Sequence, residues 1–403
     1  MPASSTTSTV SSSTPGSLPR PSAHAHHGER SAVAHESKAN ATTAMRGEGF
    51  YNKHSQQQAA ALQSGLEVLR EAMLDIPAHV FAQRTHVTFC DFGASQGRNS
   101  VPPSRAFVDL ALQRGARAVH VLHQDLPSND FNSLIRLMHS DEGYTAGREN
   151  VFTFATGGDF HHRVVADGSL VVGWSSTSCN WLTRPSPLRG AIVNVTADAS
   201  TPGYQALVDL AASDWASYVK CREAELVAGG QLVQVEAARD ESGSCGCETY
   251  FNSARGALLD ALGEDAAAQV SIPMYIRSLE ELKAPFANGT VPGLRLRETR
   301  FVRTPDALLA MYNADGNLDA HAARMIGIFK AAIAPGLKLD RFDAVKVEDF
   351  YAKFADRIKQ DPQGNTVAWH VVVLRAEKVA PESPKPETPK SPLAMFNPFR
   401  RRG

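Results

Sequence analysis

The chain reads as an α/β protein: a Rossmann-like, mostly parallel sheet with helices on both faces, plus a helical cap. Three observations predict this fold. Short β-branched segments alternate with helix-period segments, the order expected of a parallel sheet wrapped by helices. A Gly-x-x-x-Gly turn, Gly93 to Gly97, follows the first strand and precedes a helix-like segment, Ser104 to Arg114. Two largely helical stretches, Arg239 to Ala284 and Pro305 to Gln360, break the alternation among the late strands. They read as a cap, mainly 239–290 and 305–361, that would exclude water from a site at the strand ends.

Residues 1–44 are rich in Ser, Thr, Ala and His and hold almost no large apolar groups. Such a segment cannot bury enough surface to offset its ordering entropy, so it is expected to be disordered. It lacks the apolar core of a secretory signal, and although Ser-rich it has few arginines and no amphipathic stripe, so a cytoplasmic location is expected. The folded region is expected over 45–378. Gln56 to Asp75 reads as a helix with Ala60, Leu62, Leu66 and Leu69 on one side. Strands are expected at 87–91, 118–123, 151–155 and 170–174. A helix from Tyr204 to Val227 meets a stop signal at Gly229-Gly230, ahead of a fifth strand at 231–236. Residues 294–301 and 369–375 read as two more strands, paired with each other. Residues 379–403 carry alternating proline and charge and read as a disordered polyproline-type tail.

With 403 residues, 43% of them hydrophobic, and a net charge of −1, the chain is long enough for one large domain and gives no electrostatic reason to bind nucleic acid. No run of eighteen apolar residues marks a membrane span. The five cysteines fit no disulfide framework, which points to a reducing compartment. Cys245-Gly246-Cys247 lies in a Gly/Ser-rich loop without a second ligand pair, so neither a metal nor a redox role is expected there.

The chemistry concentrates at the strand ends, where ligands of such sheets bind. Asp91 closes the first strand, Asp125 the second, and Ser175-Ser176 follow the fourth. Glycine at position 93 lets backbone approach a ligand closely. A carboxylate beside the turn suits a cationic or hydroxyl-bearing group better than a phosphate, which wants bare amides. S-adenosyl-L-methionine, with its positive amine and no phosphate, is the common ligand that fits. The Gly-x-Gly-x-x-Gly fingerprint of a nicotinamide site is missing.

Six collinear segments between Met45 and Arg375 together resemble the SABATH methyltransferases, the salicylate, benzoate and theobromine type. They are Tyr51-Asn52-Lys53-His54-Ser55 with Gln58; Asp91 to Asn99; Gln124 to Asn132; Ser175-Ser176 through Asn180-Trp181-Leu182; Arg222 to Gly230; and Ile272-Pro273-Met274-Tyr275. The resemblance implies that Asp91, Gly93 and Asn99, with Tyr51 beside them, hold the amino-acid end of S-adenosyl-L-methionine. It implies Asp125 on the ribose hydroxyls, Leu126 against the adenine, and Asp159 and Phe160 around it. On the acceptor side it implies Gln58 and Trp181 as the two donors to a carboxylate, with Thr177 and Asn180 lining the pocket. Thr177 stands where the family has a large aromatic, which suggests a roomier pocket. Some members are described with magnesium held just before Ile-Pro-Met-Tyr; the corresponding Ala268-Gln269-Val270-Ser271 predicts no such metal. The family is often dimeric, so a homodimer is possible.

The implied reaction is direct in-line transfer of a methyl group to the carboxylate of a small organic acid. An acid with a pKa near ~4 is already ionised at neutral pH and needs no general base. Catalysis then rests mainly on orientation, which can supply roughly 7–11 kcal/mol. The alternatives are N-methylation of a purine-like ring, for which Asn180 would matter, and a non-catalytic protein that retains the cofactor pocket.

Overall fold

The computed structural model describes residues 43–380. The disorder expected of the two tails falls almost entirely outside these residues. Eight strands form the sheet: β1 Val87–Phe92, β2 Val119–Asp125, β3 Val151–Gly157, β4 Leu170–Ser176, β5 Leu226–Arg239, β6 Arg277–Ser278, β7 Leu294–Arg303 and β8 His370–Lys378. The order is β3-β2-β1-β4-β5-β8-β7, with β6 added beside β5. Strands β1 to β5 pair in parallel, while β8 runs antiparallel to both β5 and β7. The expected pairing of the last two strands is therefore present. From β1 the chain proceeds outward to β2 and β3 on one side and to β4 and β5 on the other. The crevice between β1 and β4 is thus the switch point at which doubly wound sheets bind ligands.

The inner strands β1, β4 and β8 are covered on both faces and buried along most of their length, whereas the edge strand β3 leaves Phe152 and Phe154 exposed. Alternate residues of β8 go to opposite sides: Val371 and Val373 join one core with Val233 and Val235, and Val372, Leu374 and Ala376 join the other with Leu232. The first core is closed by the helices Gln56–Asp75 and Val101–Gln113. In the former, Ala61, Leu62, Leu66, Val68 and Leu69 are buried, while the expected Ala60 is only half-buried. Gly65 lets this helix lie against the sheet, because a Cβ there would stand 2.4 Å from a Val235 methyl. The second core is closed by the helix Tyr204–Glu225, with Trp215, Tyr218 and Val219 facing inward. No helix among the described residues is long and apolar enough to cross a membrane.

Two expectations are corrected. The Gly229-Gly230 pair does not separate helix from strand. The helix ends at Glu225, β5 begins at Leu226, and the glycines form an irregularity inside β5, where pairing with β4 jumps from Leu170↔Leu226 to Val172↔Gln231. Gly229 takes φ +77° there, a backbone state that glycine reaches without strain. The cap is also smaller than 239–290. Its core gathers the helices Glu248–Leu262, Leu318–Ile328 and Ala344–Gln360 around Phe251, Phe329, Phe350 and Phe354. The helix Leu279–Ala287 instead buries Leu282 in the second sheet core. A π-helical turn, Phe329–Ile333, interrupts the cap beside the site, a disruption that often marks functional positions.

Candidate active site

The glycine turn is built to bring three strand ends together. The amides of Gly93 and Ala94 both donate to the Gln124 carbonyl, at 2.9 and 3.0 Å, so the turn folds over the end of β2. Gly93 has φ +85°, and a Cβ there would lie 2.2 Å from Ser178 Oγ. Only glycine fits this contact between the β1 and β4 loops. Ser95 and Thr177 also sit at positive φ, +48° and +55°. A β-branched residue in this region costs on the order of 1–3 kcal/mol, and such residues cluster at ligand sites. The Thr177 amide, donating to the Val235 carbonyl at 2.7 Å, holds that conformation.

Asp125 anchors the arrangement. One carboxylate oxygen accepts from the Ser95 amide and the other from the Leu126 amide, each at 2.7 Å. Each oxygen retains a lone pair for a hydroxyl donor. Burial raises the Asp125 carboxyl to about 6, against the pull of those two amides. Burial also lifts Asp91 to about 7, opposed by the Ser100 hydroxyl that donates to it and reinforced by Asp125. Both groups are carboxylates waiting for compensation. A cation beside Asp91 and hydroxyls beside Asp125 would supply it. Tyr51 lies next to both acids, and burial followed by their charges pushes its phenol well up.

Tyr51 reaches the turn because the chain before the first long helix is clamped to it. The Asn52 amide donates to the Gln96 carbonyl at 3.1 Å, and the Gln96 amide donates to the Arg46 carbonyl at 2.6 Å. On the opposite side, the buried Arg222–Glu225 pair holds the loop after β3. Arg222 donates to the carbonyls of Phe160 and His162 at 2.8 and 3.0 Å, and Glu225 accepts from the Val164 and Val165 amides. This is a physical reason for the Arg-x-x-Glu pattern. Asp159 in that loop spends one oxygen on the amide and ring of His161, at 2.9 and 2.8 Å. Burial raises its pKa, but these bonds outweigh burial and hold it below the ordinary carboxylate range.

Three adjoining hollows result. One of about 620 Å³ is lined by Tyr51, Gly93, Asp125, Leu126, Asp159, Phe160, Thr177 and Trp181, among others. A smaller one of about 330 Å³ is lined by Tyr51, Gln58, Asp91, Gly93, Asn99 and Thr177. The third, about 560 Å³, lies under the cap and has Gln58, Thr177, Asn180 and Trp181 at its polar side. Its remaining walls are largely apolar, including Cys245, Cys247, Phe251, Ile333 and Trp369. Tyr51 and Thr177 border all three hollows, Gln58 the second and third, and Trp181 the first and third. Every site residue expected from the sequence thus lies on this connected cleft.

The polar inventory fits a ligand with an ammonium, hydroxyls and a flat base. The Ser95 hydroxyl and the Gln58 amide oxygen are buried without hydrogen-bond partners, and native proteins rarely leave such groups unmet. Asn180 is different: its amide donates to the carbonyls of Ala237 and Tyr275 at 3.0 and 3.2 Å and accepts from the Ala237 amide. It joins β5 to the cap.

The family profile of S-adenosylmethionine-dependent carboxyl methyltransferases matches residues 40–377. The chain belongs to that family. Among relatives, it is 24% identical to a methyltransferase of Fusarium sp, LUC1, over 59% of this chain and 65% of that protein. It is 28% identical to a jasmonate O-methyltransferase of Arabidopsis thaliana, over 62% of this chain and 72% of the plant protein. The chain therefore spans just under two thirds of the length of the first of these relatives. A loganic acid methyltransferase solved with SAH shares the fold, with a TM-score of 0.68 at 16% identity, covering 83% of this chain and 99% of that one. The structure adds two features to the expected site: the sulfur-bearing wall of the third hollow and the positive φ of Thr177. By sequence the Cys245-Gly246-Cys247 loop is expected to have neither a metal nor a redox role, and a Thr after a strand does not announce a positive φ.

Proposed function

We propose that this carboxyl methyltransferase converts the carboxylate of a small organic acid to its methyl ester, with Gln58 and Trp181 holding the carboxylate. The observation that carries the reading is the meeting of the three hollows at Tyr51 and Thr177, with Gln58 and Trp181 facing the apolar one. When bound, S-adenosyl-L-methionine supplies an electrophilic methyl group on a sulfonium. Asp91 and Asn99 would hold its amino-acid end, Asp125 its ribose hydroxyls, and Leu126 and Phe160 its base. The Gln58 amide and the Trp181 indole each offer a hydrogen to one carboxylate and so fix its direction. The apolar cap keeps water from the oxygen that reacts. No residue has to take a proton, since the acid arrives ionised.

N-methylation of a ring has weaker support, because the Asn180 amide that would serve a ring nitrogen is already committed to backbone. A homodimer and a cytoplasmic location are also proposed, the first to be read by light scattering and the second by imaging of the tagged chain. The principal test is a screen of aromatic, indolic, terpenoid and fatty acids with methyl-labelled cofactor. The expected result is label in an extractable, base-labile ester. Label in a base-stable N-methyl product, or transfer to no acid, would overturn the reading.

The raised acids give a pH dependence with a defined sign. At pH 6 the empty cleft keeps Asp91 mostly protonated, since its pKa is about 7. An ammonium beside it favours the carboxylate, so binding expels the proton. Affinity for S-adenosylhomocysteine should therefore climb as pH rises to about 7 and then level off. Calorimetry at pH 6 in two buffers of different ionisation enthalpy should show proton release; uptake would contradict the assignment. The same shift makes the ligand-free fold lose stability as pH rises from about 4, the unfolded value, through about 7, because the folded acid holds its proton longer.

A further inference from the structure

Two free thiols that methyl transfer does not use face each other in the wall of the acceptor hollow. Cys245 and Cys247 both line it, and their sulfur atoms are 3.2 Å apart. We propose that Cys245 and Cys247 form a dithiol–disulfide couple that governs access to the acceptor hollow, closing it when a peroxide or a small-molecule disulfide oxidises the pair. The functional half of this inference rests on the acceptor reading above.

The turn that carries the pair is fixed on both sides. Gly246 has φ +82°, and a Cβ there would lie 2.2 Å from the Ala368 carbonyl oxygen, so the loop is pressed against the start of β8. The His370 amide donates to the Cys245 carbonyl at 2.9 Å, and the Cys245 amide donates to the Glu248 carboxylate. The sulfurs need to approach by about 1.2 Å to reach the bonding length of about 2.0 Å. Only 1% of Cys245 and 2% of Cys247 is exposed, and both line the hollow, so an oxidant reaches them through it. An acceptor seated there should shield them. The hydrogen bond to Cys245 and then burial push the Cys247 thiol up, so the reaction is slow and needs direct entry.

The step balances. One thiolate sulfur attacks peroxide oxygen and becomes a sulfenic acid as the first water leaves. The second thiol displaces the hydroxyl from that sulfur, the Sγ–Sγ bond forms, and a second water leaves. Two thiols are oxidised by two electrons, and the peroxide is reduced. With a small-molecule disulfide, one thiolate attacks it and releases one small thiol, leaving a mixed disulfide, and the second thiolate displaces the other small thiol as the Sγ–Sγ bond forms; a reducing dithiol reverses the bond by the same exchange. Drawing the sulfurs together pulls on the first residue of the helix Glu248–Leu262, which brings Phe251 into the same wall. Neither cysteine borders the two hollows assigned to the cofactor.

The test treats the full chain with hydrogen peroxide and, separately, with glutathione disulfide. Peptide mapping by mass reads the state of each cysteine, including the half-buried Cys221. The expected result is a Cys245–Cys247 bond that forms more slowly with an esterified acid present. In that state the acceptor KM rises at least roughly tenfold, about 1.4 kcal/mol, the Kd for S-adenosylhomocysteine holds, and dithiothreitol restores the KM. The variant carrying both Cys245→Ser and Cys247→Ser, whatever its starting activity, should show no rise in the acceptor KM with either oxidant. If the reduced protein makes ester but the bond does not form, or forms without moving KM, the inference falls. If the bond forms in a protein that esterifies no acid in either state, the acceptor reading falls and the inference with it.

Discussion

Trp181→Phe is expected to lower kcat/KM by roughly tenfold to a hundredfold, since a hydrogen bond to a charged group contributes about 1.5–3 kcal/mol. The substitution removes the indole N–H and keeps an aromatic ring. Trp181 is held on its backbone by the Ser178 carbonyl at 3.1 Å and by a bridge to Met274. Its ring packs on Gly336, where a Cβ would come within 3.1 Å. The loss should therefore be one of chemistry and acceptor binding rather than of fold. The Kd for S-adenosylhomocysteine, read by calorimetry, should stay within about threefold, less than 1 kcal/mol. A variant with the parent's turnover would remove Trp181 from the carboxylate clamp.

Asp125→Ala is expected to weaken S-adenosylhomocysteine binding by roughly a hundredfold, about 3 kcal/mol. Two losses combine. The cleft loses the acceptor for two hydroxyls, and the amides of Ser95 and Leu126 lose their partners. Asp125→Asn separates them, because its single oxygen can still accept one amide. It should bind the nucleoside better than the alanine variant and worse than the parent. Equal Kd values for all three would place the ribose elsewhere.

The inner strands were legible because β1, β4 and β8, buried along most of their length, are rich in Val, Leu and Phe. The glycine turn was legible because Asp91, Gly93 and Gly97 stand in a short fixed order. The irregularity in β5 was not, since Gly229-Gly230 after a long helix has the same local chemistry as a helix stop; pairing with β4 decides it. The helix Leu279–Ala287 lies in sequence between the cap helices Glu248–Leu262 and Leu318–Ile328 and has an ordinary amphipathic pattern. Only the partner of Leu282 shows that it serves the sheet. Asn180 does border the third hollow, as the resemblance implied, but the commitment of its amide to the backbone of Ala237 and Tyr275 depends on contacts far apart in the chain. The sulfur wall arises from long-range approach: Trp369 and Ile333 are far from Cys245 in the chain and adjoin it only in the folded cap.

A structure of the protein with S-adenosylhomocysteine and an acid identified by the screen tests the central claim most directly. The account predicts a carboxylate oxygen within about 3.2 Å of both the Gln58 amide and the Trp181 indole nitrogen, with the acid's apolar body toward Cys245 and Trp369. An acid seated the other way round, its carboxylate at the cysteine end and its tail against Trp181, would contradict it.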